Sequence, residues 1–232
     1  MTDRAGHDWW AYLGPYGLFL ILVEIGRRLP DPWAGGWLVV KVALPGALLF
    51  WFIRRGALPE LRGYRPSGRE LAADVSCGLA IAFLWMAPFL LFPDLPRPEA
   101  SEGFDPDQLG ESRRHLMLGV RLLGFAVVTP FVEELFVRSF LMRLADVVDS
   151  DMNIRRVPIA RFTWRSFLVT TIWFTLTHVP WEWGVALATG VLWNLWLYRR
   201  GHIGAVIVAH SVANAAIWAV VVFGPGDLWI FL

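Results

Sequence analysis

One cysteine, one lysine and little charge set the first limits on this chain. With Cys77 alone, no internal disulfide, thiol redox pair or thiolate zinc site can form. Charged side chains make up 18% of the 232 residues, below the roughly 25% of ordinary soluble domains. The net charge is +1, which leaves no basic surplus for nucleic acid and no acidic tail. There is no H-E-x-x-H segment, no internal repeat and no low-complexity tract. Lys41 is the single lysine among 21 basic residues, an arginine-for-lysine usage that points to GC-rich coding and a bacterial source.

Apolar side chains fill the space. Hydrophobic residues reach 56%, with 14 Trp and 16 Phe, and the deviation from a soluble composition runs toward lipid. Apolar runs bounded by charge, Pro or Gly fall at residues 9–25, 37–53, 71–92, 116–137, 167–178, 185–198 and 203–223. A helix needs ~20 residues to cross a ~30 Å hydrocarbon core, and five of the seven runs reach or approach that. The fifth and sixth are shorter and flank the turn Val179-Pro180-Trp181-Glu182-Trp183-Gly184. They read as a hairpin whose tip is sunk below the membrane surface. The predicted fold is therefore all-α, a polytopic membrane bundle of about seven (six to eight) helices forming one domain over residues 1–232. The charges of both signs in Met1–Asp8, with no small-residue cleavage site after them, make the first run a retained helix rather than a signal peptide.

Arginines alternate between loops. Arg54 to Arg69 follow the second run, Arg155 to Arg165 the fourth, and Arg199 with Arg200 the sixth. Such loops stay on the cytoplasmic side, and the acidic segment 93–111 then faces outward. Arg27 and Arg28 dissent from this alternation. A bacterial inner (cytoplasmic) membrane is the expected location.

Ionisable groups inside a bilayer are costly and need a partner, a cavity or a function. Glu24, Lys41 and Asp74 stand singly in the first three runs, where snorkelling or one interhelical pair accounts for each. The second half instead concentrates its polar groups: Glu133, Glu134 and Arg138 in one helix, His178 at the end of the next, and His210 with Asn214 in the last. Glu134 and Arg138 are i,i+4 neighbours and pair naturally, which leaves Glu133, about 100° away, without a partner in its own helix. Glu133 is thus the candidate general base and Glu134 the structural acid. His210 and Asn214 share a face and can donate toward one point, as an oxyanion hole does. Read singly, each group has a plain structural alternative: carboxylates paired with arginines, a satisfied core histidine, a hydrogen-bonded pair between helices.

The ordered triple Glu133-Glu134 with Arg138, Phe174 with His178, and His210 with Asn214 resembles the EExxxR, FxxxH and HxxxN pattern of the CAAX-protease and bacteriocin-processing family of intramembrane proteases. The resemblance covers residues 115–216, the expected catalytic core. Pro15-Tyr16, the run ending in Glu24 and the Arg-rich stretch 54–69 further resemble a branch associated with exosortase systems. The family implies a glutamic-type endopeptidase acting on a membrane-associated protein or peptide near its C-terminus. Glu133 and His178 would activate water, His210 and Asn214 would stabilise the oxyanion, and Glu134, Arg138 and Phe174 would support them. It implies no metal and no cofactor. A zinc-dependent membrane protease is the chemical alternative, since two His and a Glu are a reasonable zinc set. A transporter, or a non-catalytic scaffold or immunity protein, is the alternative of another class.

Overall fold

A computed structural model describes residues 9–92, 94–99, 103–224 and 228–232. Met1–Asp8 and Glu102 of the acidic loop lie outside the described residues. Among those described there is no strand, and the chain forms seven main helices: α1 (Trp10–Gly26), α2 (Asp31–Arg54), α3 (Gly68–Leu91), α4 (Glu111–Val147), α5 (Trp164–Leu176), α6 (Trp183–Arg200) and α7 (Ile203–Phe223). Within α2, α3, α4 and α7 lie four segments long and apolar enough to span a bilayer, and α1 is a shorter apolar helix. Side chains such as Ile21, Phe50, Leu79 and Phe83 stand outward and would face lipid. The protein is an integral membrane protein built as an all-helical bundle.

Several helices outrun the apolar runs, α4 and α6 past charged residues at their ends. The fourth run extends from 116–137 to a helix of 37 residues, about 55 Å long. The charges that follow residue 137 do not end it, because they are satisfied inside the bundle. Arg138 pairs with Glu134, and Arg143 reaches Glu60, Ser139 and Tyr12. The sixth run grows to 18 residues, since Arg199 and Arg200 form its last turn, where the helix dipole favours cations. Only α5, with 13 residues and a length near 20 Å, is a short helix.

Local signals set the helix starts. Ser67 and Glu70 make a reciprocal capping box at the head of α3, and the Thr163 hydroxyl caps α5. The isolated charges of the first half mostly find partners. Glu24 pairs with Arg27 and Arg28, the two arginines that dissent from the loop pattern. Asp74, fully buried, accepts from Tyr64, Trp196 and Arg200 and so ties α3 to α6. The contact of α3 with α7 is close because Gly78 has no Cβ, which would stand 2.3 Å from the Ala209 carbonyl oxygen. That approach seats His210 beside α3.

Candidate active site

The middle of α4 is irregular, and its sequence explains why. Pro130 has no N–H to give to the preceding turn. The helix widens into π geometry over Gly124–Val128, with the Thr129 amide donating to the Gly124 carbonyl. The Phe125 carbonyl loses the amide that ordinarily closes on it, and Asn214 of α7 donates to it at 2.7 Å. A second π segment covers Leu135–Leu141, just after the two glutamates. Such widenings recur at functional sites because they re-aim side chains.

Glu134 and Arg138 are both fully buried and lie 3.2 Å apart. The same carboxylate oxygen of Glu134 is 2.8 Å from His210 Nδ1. Arg138 also donates to Asn194 Oδ1, and its guanidinium lies 4.4 Å above the Phe174 ring. The Asn194 amide in turn donates to the hydroxyls of Thr170 and Thr171. α4, α5, α6 and α7 are thus joined by one polar network around Glu134.

Glu133 stands outside that network, on the wall of a cavity of about 680 Å³. No hydrogen bond to it exists among the described residues. His178, His210, Asn214, Phe174 and Tyr16 line the same cavity. His178 Nδ1 is 2.6 Å from the Phe174 carbonyl oxygen. A carbonyl only accepts, so the Nδ1 proton is fixed and neutral His178 turns an accepting Nε2 away from that bond. Its ring sits between Phe174 and Trp85, with centroids 4.6 and 5.2 Å away. His210 is stacked on Trp193. Asn214 spends one of its two amide protons on Phe125 and keeps the other.

The structure therefore brings all seven sequence-predicted residues together, and it refines one of them. His210 is not a free neutral donor, because its Nδ1 is committed to Glu134. An ionised carboxylate only accepts, so Nδ1 carries the proton of that bond, and Nε2 can donate only when the ring holds a second proton. Among the described residues no group of three or more His, Cys, Asp or Glu side chains is placed to hold a metal ion.

Two contributors were not among the site residues read from the sequence. Asn194 sits in an apolar helix, and its partners lie 23 to 56 residues away. Tyr16 faces the site from α1, accepts from Trp173 Nε1 at 3.0 Å and stacks on Phe136 at 4.0 Å. Its neighbour Pro15 was the only local mark.

With this geometry in view, the chain can be compared with known families. Residues 116–216 match the family model described as Type II CAAX prenyl endopeptidase Rce1-like. Over that segment, somewhat under half of its length, the chain is similar to Rce1-like CAAX endopeptidases. The Rce1-like family is a family of proteases, and the matched segment runs from early α4 into α7, enclosing every residue of the polar network just described. Nothing in this match bears on the exosortase-associated branch. No curated protein and no solved structure matches the chain.

Proposed function

We propose that the protein is a glutamic-type intramembrane endopeptidase. The observation that carries this reading is the division between two adjacent carboxylates. Glu134 is locked by Arg138 and His210, while Glu133, one residue away, is free on the wall of a cavity that His178 also lines. Paired acids with opposite environments take different roles in catalysis.

In the proposed reaction Glu133 takes a proton from water, aided by His178 Nε2, as the water oxygen attacks the peptide carbonyl. The negative charge on the former carbonyl oxygen is met by His210 Nε2–H and the second amide proton of Asn214. The proton held by Glu133 then passes to the leaving nitrogen, the C–N bond breaks, and a carboxylic acid and an amine result. Arg138, Asn194 and Phe174 hold Glu134, and through it His210, in place. The substrate is a membrane-associated protein or peptide, cut near its C-terminus, and the site is metal-independent. The inner membrane of a bacterium is the proposed location.

Terminal-peptide mass spectrometry on membranes carrying wild-type protein or Glu133→Gln tests this without a guess about substrate. Neo-termini present with wild type and absent with the variant are the expected result. Identical terminal profiles, with both proteins folded and equally abundant, would remove the protease reading and favour a scaffold or immunity role. Activity that disappears with chelators and returns with zinc would replace the glutamic mechanism.

A further inference from the structure

Tyr16 belongs to α1, outside the segment that matches the family model, yet it forms part of the cavity wall that carries Glu133. It is 3% exposed. Its ring lies on Phe136, 4.0 Å away and 6° from parallel, and Phe136 follows Glu133 by three residues, one turn along the same side of α4. Its oxygen accepts the Trp173 indole N–H at 3.0 Å, and Thr177 lies within hydrogen-bonding reach of that oxygen. Trp173 and Thr177 are one turn apart at the end of α5, and Thr177 directly precedes His178. The phenol is thus held between the turn of α4 that carries Glu133 and the end of α5 that presents His178. The charge of Glu133 acts on it electrostatically.

A tyrosine that accepts one hydrogen bond still has its own proton to give. Thr177 cannot supply one in its place, because its hydroxyl proton goes to the Phe174 carbonyl at 3.0 Å. An attacking water has two protons to donate and two lone pairs to accept with. In the reaction proposed above, one proton faces Glu133, the other faces His178 Nε2, and one lone pair faces the peptide carbonyl. The second lone pair calls for a donor, and neither an ionised carboxylate nor the accepting nitrogen of neutral His178 is one. Thr129 also lines the cavity, one turn before Glu133 in α4. A threonine inside a helix returns its proton readily to the carbonyl of the preceding turn. Tyr16 reaches in from another helix, with its ring fixed by Phe136 and its oxygen by Trp173.

We propose that Tyr16 is a further catalytic residue, whose phenolic O–H donates to the water that Glu133 deprotonates. This deepens the reading of the cavity as a peptide-hydrolysing site and rests on it. The Tyr16 proton stays on Tyr16: the water gives one proton to Glu133, its oxygen bonds to the peptide carbon, and the phenol only fixes the direction of the attacking lone pair. The first helix is then part of the catalytic apparatus as well as of the bundle.

The test uses the full chain in host-cell membranes, with the endogenous membrane proteins as substrates. Its readout is the rate at which Glu133-dependent neo-termini accumulate. Tyr16→Phe keeps the ring and removes the hydroxyl, and the rate should fall by about tenfold to a hundredfold with the cleavage positions unchanged. The same change strands the Trp173 N–H, so Tyr16→Phe is also combined with Trp173→Phe. Removing both partners should recover the thermal midpoint, while the rate should stay low. Thr177→Val and Thr129→Val should cleave at the wild-type rate. A Tyr16→Phe rate equal to wild type would overturn the proposal. A rate that recovers together with the thermal midpoint in the double variant would do the same, since the hydroxyl would then serve packing alone. An equal fall in Thr177→Val would direct the phenol proton to Thr177 instead, and a fall in Thr129→Val with Tyr16→Phe silent would give the water to Thr129. Failure of the protease reading looks different, because no Glu133-dependent neo-termini would form with the wild type, and both readings would fall together.

Discussion

The EExxxR spacing gives two neighbouring carboxylates opposite fates, and this is a matter of angle. Residues four apart in a helix share a face, so Arg138 neutralises Glu134 and cannot also serve Glu133. The pair is fully buried, and removing one member strands the other. Arg138→Met is expected to destabilise the protein by about 3–5 kcal/mol, seen as a large drop in thermal midpoint in detergent. Arg138→Lys keeps the charge but loses the planar fork that reaches both Glu134 and Asn194 and the stack on Phe174. Its thermal midpoint should fall less, while hydrolysis falls strongly because His210 is no longer held by a fixed carboxylate. Equal and mild effects from both substitutions would show that the network does not position His210. The glutamates, the arginine and both histidines were legible in sequence because their relations are local. Asn194 and Tyr16 were not, since the bonds that place them cross between helices.

At the scale of the element, Pro130 is the feature that shapes the site. It opens α4 into π geometry and frees the Phe125 carbonyl that orients Asn214. Pro130→Ala restores a backbone N–H able to close on the preceding turn and compete with Asn214 for the helix carbonyls. The variant should be as stable as wild type or more so. Its hydrolysis rate should nevertheless fall by on the order of tenfold to a hundredfold, as a displaced oxyanion donor implies. A rate unchanged by Pro130→Ala would mean that Asn214 is placed by α7 alone. The proline itself was visible in the apolar run, but its effect on the opposite helix was not. The same limit explains the two helix ends that the apolar runs placed too early. A charge at the end of a run signals exposure only if nothing buries it, and here Glu60, folded back from the loop after α2, receives Arg143 and the Ser139 hydroxyl.

Taken whole, the molecule makes a statement about sidedness that its single cysteine allows to be checked. Tryptophans gather at helix starts, at Trp10, Trp33, Trp164 and Trp183, all exposed, as side chains at a membrane interface do. The arginine-bearing loops and the acidic loop fall at opposite ends of α3, and the rule that positive loops stay inside puts the first group in the cytoplasm. Glu133, about 25 Å along α4 from the start of its apolar run at residue 116, then lies toward the cytoplasmic face. Cys77→Ser gives a cysteine-free background in which Arg65→Cys and Pro96→Cys, both exposed in loops flanking α3, report one side each. A membrane-impermeant maleimide should label Pro96→Cys in intact spheroplasts and Arg65→Cys only after lysis. Labelling in the reverse order would invert the bundle. It would place the catalytic end of the cavity at the outer face and require substrates that reach it after translocation.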